Sequence, residues 1–413
     1  MAYQRRHSTL TPSDSSNPQY ILSQMHSLGC DLGQHRTGAR EQLLKLSHAL
    51  ISSLELPSET IQRIGWAEPA RTAYLRIATD LNLLNHLQAA GPSGLTSPSL
   101  ASISGADPRL VSRILKHLAA TNVLHEVDAD TYSLTPFTKA LVIQPGYRDA
   151  LTYTYDVAGP PFRHLPAYLK ETGYRLPATG DGNGPFQAAH GTDLPFFAWL
   201  DAHPRYAAAF ASFVSTYRAG KPSWVDDGFY PVADRLIKGF DPSVGDVFLV
   251  DVGGGLGHDL WDLASKVGSL PGRLVLQDRE EVVAAVERTE RKRSFEVMAH
   301  DFFQPQPVKG ARGYFLHSVL HDWGDEDCVR ILEGLKGAVV RGYSRVLINE
   351  IVVPDRGASW PVTAMDALVL VLGAMRERTE KDWEGILGKA GFKVVKVYTC
   401  QMGCQSLIEA ELV

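Results

Sequence analysis

Apolar residues follow two different rhythms along this chain. From about residue 38 they recur at three- and four-residue spacing. Leu43, Leu44, Leu46, Leu50 and Ile51 form one stripe. After Pro69, a second stripe holds Tyr74, Leu75, Ile77, Ala78, Leu81, Leu84 and Leu87. That spacing predicts amphipathic helices. A short helix near Ser97–Ile103 comes next, then "DPRLVSRILKHLAA", where Asp107 can cap and Pro108 suits the first helical position. "VLHEV" and "TYSLT" read as short strands joined at Asp128-Ala129-Asp130. Two helices and a β-wing read as a winged helix, within a helical domain over 38–150. Ahead of it, residues 1–37 are polar and Ser-rich and read as a flexible arm.

The second rhythm starts at 247. Strands are expected at "VFLVDV" (247–252), "RLVLQD" (273–278), "FEVMAH" (295–300), "GYFLHSVL" (313–320), "RVLINEIVV" (345–353), "FKVVKVYT" (392–399) and "SLIEAEL" (406–412). Helical patterns are expected to separate the first five, which predicts a doubly wound α/β fold with a mostly parallel sheet over 241–413. The last two strands are joined by "CQMGCQ". That link is too short for a helical crossover, so they should form an antiparallel hairpin at an edge. Between the two rhythms, 151–240 is rich in aromatics, Gly and Pro and reads as a helical bridge. Phe162, Phe196, Phe197, Trp199 and Trp224 could line an apolar pocket there, although any one of them is more often ordinary core.

Composition narrows the function classes. With 413 residues, two or three domains are expected. The net charge is −5 with both signs interspersed, which favours neither a nucleic-acid partner nor an anionic membrane. The winged helix does carry Arg109, Arg113, Lys116 and His117. No basic tail or stripe accompanies them, so packing or dimerisation is the better reading than DNA binding. Four cysteines are too few for a disulfide framework and fit a reducing, cytoplasmic setting. Cys400 and Cys404 have no second ligand pair and read as buried thiols. The N-terminus has no apolar h-region, and the longest apolar run, "AMDALVLVLGAM", is too short to span a bilayer.

The candidate chemistry gathers where strands end. "LVDVGGGLGHDL" places Asp251 and then Gly253, Gly254, Gly255 and Gly257 before a helix. Glycines there let the backbone turn sharply and approach a ligand. The spacing is not the dinucleotide fingerprint, so alone it is a weak signal. Asp278 ends the next strand and could hold two ribose hydroxyls, or cap the helix that follows. Past the third strand, Asp301 could accept from an adenine amino group and Phe302 stack on its ring. Three such features on one sheet edge signal an adenosyl ligand. The terminal hairpin, and the lack of a second nucleotide-binding half, favour S-adenosylmethionine over a nicotinamide.

His321 follows directly on the fourth strand, in "LHSVLHDWGDE". Glu350 stands inside the apolar "VLINEIVV", where an acid needs a reason, and Glu377 lies just before a helix that Thr379 can cap. One His and two Glu could bind a metal. They could equally form a base oriented by carboxylates, and a sulfonium donor needs no metal, which favours the base.

On "LVDVGGGLG", "LHSVLHDWGDE", "INEIVVPD" and "RERTEKDWEGILGKAGF", the chain over about 60–413 resembles the plant and fungal small-molecule O-methyltransferases of the caffeate and flavonoid type. It is most similar to fungal members that tailor polyketides and related metabolites. The resemblance implies a winged-helix dimerisation domain and a homodimer. It implies His321 as general base flanked by Glu350 and Glu377, with donor contacts at Gly253, Gly254, Gly255, Asp278, Asp301 and Phe302. Phe162, His164, Trp224, Leu372 and Met375 are the candidate substrate pocket. His317 stands where plant members carry a Lys, and "VLVLGAMRE" lacks the Asn that positions phenols in plants. Some fungal relatives keep the fold and the cofactor but catalyse pericyclic or dehydration steps. That is the alternative to methylation of a phenolic or enolic hydroxyl.

Overall fold

The computed structural model describes residues 17–413, apart from 178–181, 218–219, 289–292 and 402. The chain divides into two compact units, one of Met1–Gly159 with His203–Ala219, the other of Pro160–Ala202 with Gly220–Val413.

The first unit is helical with a small sheet. Its first helix, Pro18–Gly33, falls inside the stretch expected to be a polar arm. The start signal is local: the Asn17 side chain accepts from the Gln19 N–H at 3.0 Å, and Pro18 occupies the first turn. Residues 1–16 of that stretch lie outside the described residues. A second helix, Ala39–Leu54, carries the first apolar stripe. The winged helix is present as Ser97–Ser104, Pro108–Ala120 and a hairpin of Leu124–Asp128 with Thr131–Leu134, extended by Leu95–Thr96. Asp107 accepts from the Arg109 and Leu110 N–H groups, both at 2.9 Å. Val111, Ile114, Leu115 and Leu118 then face the core. On the same helix, the His117 ring lies 3.0 Å from the Ala67 carbonyl, a packing contact. The helix Pro204–Thr216 returns to this unit beside Pro145–Tyr153, with Tyr153 stacked on Phe213.

The second unit holds a seven-stranded sheet. In chain order its strands are β1 (Val247–Val252), β2 (Arg273–Asp278), β3 (Glu296–Ala299), β4 (Gly313–His317), β5 (Arg345–Glu350), β6 (Phe392–Thr399) and β7 (Ser406–Leu412). Their spatial order is β3-β2-β1-β4-β5-β7-β6, with the first five parallel. β7 runs antiparallel to β5 and pairs with β6 as the expected edge hairpin. Both faces are covered. Along β4, Tyr314 and Leu316 join one buried cluster, with Ile331, Leu335 and Trp383. Phe315 joins the other, where Trp224 stacks on it at 4.7 Å. That period of two is what a central strand buried on both faces requires.

Three expectations change. β4 stops at His317 rather than at 320, because Ser318 takes a positive φ of 52° and breaks the ladder. "RVLINEIVV" splits at Glu350, and its end, Val352–Val353, pairs instead with Arg378–Thr379. No helix separates β3 from β4: Pro305 and Pro307 in "QPQPVKG" deny a helix its N–H donors. An amide pair between Gln277 and Gln306, both bonds 2.8 Å, anchors that connection. Among the described residues no helix is long and apolar enough to cross a membrane.

Candidate active site

The glycine turn after β1 and the acid that ends β2 are joined directly. Asp278 Oδ2 accepts from the Gly255 N–H at 2.8 Å, and Oδ1 accepts from the Arg279 N–H at 2.7 Å. Asp278 does not cap the following helix, Glu280–Glu287, which starts at Arg279 without a side-chain cap. Gly253 and Gly255 have φ of 73° and 56°, conformations that favour glycine. At Gly254 a Cβ would lie 2.4 Å from Asp251 Oδ2 and from Leu276 Cδ1. Beneath the turn, Asp251 is fully buried, and neither carboxylate oxygen has a hydrogen-bond partner. Burial first, then the charges of Asp259 and Asp278, pushes its carboxyl well above the usual range. Past β3, Asp301 is exposed and accepts from the Phe303 N–H at 3.0 Å. Phe302 meets Trp323 edge-on at 5.7 Å. A Cβ on Gly253 would lie 2.9 Å from Val319 and 3.8 Å from Phe302, so these three residues border one space.

His321 sits on a single 3₁₀ turn, Leu320–Asp322. Glu350, at the end of β5, explains how that turn is held. Its Oε1 accepts from the backbone N–H groups of Val319 at 3.0 Å, Leu320 at 2.9 Å and His321 at 3.4 Å. An acid inside an apolar strand is thus the cap of the neighbouring turn. Its Oε2 lies 3.7 Å from His321 Nδ1. Glu377 Oε1 is closer, at 3.1 Å, and Nδ1 donates to it. With Nδ1 committed to the glutamates, Nε2 is left to exchange a proton; its nearest carboxylate is Asp322 at 3.4 Å. The imidazole side chain is 14% exposed. Burial alone would lower its pKa, but Glu350, Asp322 and Glu377 together outweigh burial and raise it to about 10. Burial likewise raises the Asp322 carboxyl to about 6, against the pull of His321.

The candidate pocket residues do not all converge. Trp224 is core, stacked under β4. Leu372 and Met375 are buried at the end of the helix Trp360–Gly373, and the next N–H, of Arg376, donates to the His321 carbonyl at 3.3 Å. That segment therefore abuts the site. Phe162 is exposed and His164 half-buried, two apart on one helix and so on different faces. His317 serves another pair: Nδ1 lies 2.7 Å from Asp259 and Nε2 2.8 Å from Gln405.

The site also contains residues that the sequence reading did not single out. Asp366 accepts from the Glu377 N–H at 2.9 Å, and Arg378 bonds the carbonyls of the His321 turn. Arg378 does not stand out in sequence, because it looks like one more charge in "RERTEKDWE"; Asp366 is an acid inside the longest apolar run, a signal of the kind that singled out Glu350. Donor atoms of His321, Glu350 and Glu377 lie within 4.8 Å of one another, close enough to hold a metal ion as well as to orient an imidazole.

Comparison with known proteins resolves the family. An O-methyltransferase domain family matches residues 225–393, and an O-methyltransferase dimerisation domain family matches 70–144. "O-methyltransferase mpaG" of Penicillium brevicompactum is 46% identical over 398 residues, covering 96% of this chain and 99% of that one. The chain belongs to the O-methyltransferase family. "Demethylsterigmatocystin 6-O-methyltransferase" of Aspergillus flavus is 33% identical over 80% of this chain and 83% of its own. Among solved structures, LepI in complex with SAM is similar at 28% identity and TM-score 0.85, covering 96% of this chain and all of the other. A structure described as "A Pericyclic Reaction enzyme" matches with the same identity, TM-score and coverage. This O-methyltransferase uses S-adenosylmethionine. The residues present suit that donor: Gly255 of the glycine turn has nothing within 4 Å of where a Cβ would stand, the buried Asp251 oxygens have no hydrogen-bond partner, and Asp278 and Asp301 stand at and just past the ends of the next two strands.

Asp278→Ala should weaken donor binding by about 1.5–3 kcal/mol, roughly ten- to a hundredfold, through loss of a charge-assisted acceptor. Titration calorimetry with S-adenosylhomocysteine reads this directly. Unchanged affinity would remove Asp278 from the donor site.

Proposed function

We propose that this O-methyltransferase methylates a phenolic or enolic hydroxyl on an apolar, polyketide-like small molecule, with His321 as the general base. The hydrogen bond of 3.1 Å from His321 Nδ1 to Glu377 supports the reading most strongly, because it fixes the ring and leaves Nε2 for the substrate. S-adenosylmethionine, when bound, supplies an electrophilic methyl group on a sulfonium. Gly253, Gly254, Gly255, Asp278, Asp301 and Phe302 are the residues proposed to hold it.

The carboxylates around His321 change the energetics of proton transfer. An ordinary imidazole, near 6.5, would take a proton from a phenol near 10 at a cost of about 5 kcal/mol. With the imidazole at about 10, that difference nearly vanishes. Nε2 takes the hydroxyl proton as the oxygen attacks, and Glu350 and Glu377 stabilise the resulting imidazolium. The corollary is that the free base is scarce at neutral pH. Turnover should therefore climb between pH 7 and about 10 as His321 loses its resting proton. A positive charge seated beside the ring would move that rise to lower pH.

Two observations favour other readings. The likeness to a pericyclic reaction enzyme supports a rearrangement at the same site, without methyl transfer. The close approach of His321, Glu350 and Glu377 supports a metal. Incubation with isotope-labelled methyl donor and a panel of phenols separates the first reading from methylation, and EDTA separates the second. His321→Ala should keep donor affinity while turnover falls by about 10² or more. Because free His321 and ionised substrate both grow about tenfold per pH unit below 10, the deficit should stay roughly constant from pH 7 to about 10 and shrink only above it. Near-normal methylation by His321→Ala, or loss of native activity in EDTA, would contradict the base.

The chain is also proposed to act as a homodimer. Leu44, Ile51, Leu54, Ile61, Ile64 and Trp66 are exposed on helices just ahead of the matched dimerisation domain. Apolar surface so concentrated marks an interface, and a two-fold axis is the commonest way to cover it. Light scattering at micromolar concentration should give twice the chain mass; a monomer would contradict the dimer.

A further inference from the structure

Arg378 is fully buried, next in sequence to the glutamate that contacts the imidazole. Its guanidinium makes four hydrogen bonds. Nη1 donates to the Leu320 carbonyl at 2.9 Å and Nη2 to the Trp323 carbonyl at 2.6 Å. Nε and Nη2 both donate to Asp325 Oδ1, at 3.0 and 2.9 Å. The guanidinium Cζ lies 5.3 Å from the centroid of the Trp383 indole. The two carbonyls bracket His321 and Asp322. From the opposite polarity, Glu350 holds the N–H groups of 319, 320 and 321.

A single 3₁₀ turn does not stabilise itself, and this one follows a serine at φ 52°. Its geometry is set from outside, by one buried anion on its donors and one buried cation on its acceptors. The two-residue strand Arg378–Thr379 pairs with Val352–Val353, two residues beyond Glu350, so both clamps hang from one short ladder. Side chains alternate along an extended segment. One step therefore sends Glu377 to the imidazole and the next sends Arg378 to the backbone beneath it. Asp325 completes the fork from the start of the helix Asp325–Lys336.

We infer that Arg378 is a positioning residue: through the backbone on either side of His321 it sets where Nε2 stands, and so the efficiency of proton transfer. This rests on His321 being the base. An Arg fork is geometrically specific, and a lysine cannot hold two carbonyls and a carboxylate in the same plane. Small misplacements of a catalytic group are costly, with a displacement of about 1 Å reaching 10²-fold in rate.

The test compares variants for kcat and, separately, for donor affinity by calorimetry. Arg378→Lys keeps the charge and loses the fork; its kcat should fall by about 10–100-fold with donor affinity within twofold. In Arg378→Ala, millimolar guanidinium should restore part of the lost kcat, and it should do nothing for His321→Ala. Since Arg378 acts through His321, adding Arg378→Lys to His321→Ala should slow turnover no further. Arg378→Lys within twofold of native kcat would overturn the inference. So would additive losses in the double variant, or donor affinity falling in step with kcat. If Arg378→Lys fails to fold, Asp325→Asn decides in its place: a lower kcat at unchanged donor affinity is expected, and an unchanged kcat overturns the inference. Failure of the base is a different result, namely His321→Ala retaining turnover.

Discussion

A carboxylate buried at the end of β5 is the constraint on which this site depends. Glu350 is inaccessible to solvent and cannot stay charged there unless donors or cations satisfy it. The backbone N–H groups of the His321 turn satisfy Oε1, while Oε2 has no hydrogen bond and only the imidazole at 3.7 Å to offset its charge. The dependence runs both ways. Without Glu350 the turn would have buried N–H groups with no acceptor, and without the turn Glu350 would be an isolated buried charge. Hence the ends of β4 and β5 cannot be altered independently. β4 stops early so that Ser318 can reverse the chain, and β5 stops at Glu350 so that its carboxylate can meet that reversal.

The electrostatics follow from the same arrangement. Three carboxyl groups around one largely buried imidazole would be an expensive cluster if all were charged and the ring neutral. The cluster settles by holding a proton on the ring and raising the Asp322 and Glu350 carboxyls. A base at about 10, as proposed for His321, is stronger than free histidine and close in strength to a phenolate. Such a site suits an acceptor whose own pKa lies near 10 and gives no advantage with a strongly acidic one.

Much of this was legible in sequence, for physical reasons that differ between elements. The central strands β1 and β4 announce themselves because both their faces are buried and each reads as an apolar run. Glu350 was visible because it violates that run, and His321 because it stands in a turn next to the ligand edge. The helix at Pro18 was not visible, because its face is polar and only Ile21 is buried. Trp224 looked like a pocket aromatic and is core, since nothing in local sequence tells which side of a sheet a bridge residue will reach. Arg378 and Asp366 act on backbone groups from far along the chain, so only the folded structure brings them to the site. Leu372 and Met375 are buried at the end of the helix Trp360–Gly373, and Arg376, the residue after Met375, bonds the His321 carbonyl.

The central claim is that a carboxylate cage converts His321 into a strong base, and its protonation state is directly measurable. Histidine-labelled protein, with the His321 resonance assigned by comparison with His321→Ala, can be titrated by NMR from pH 5 to 11 without donor or substrate. The account predicts an imidazole that stays protonated through neutrality and titrates near 10, and that moves to lower pH when Glu350→Gln removes one charge from the cage. A His321 that titrates near 6.5 in the native protein, unmoved by Glu350→Gln, would contradict it.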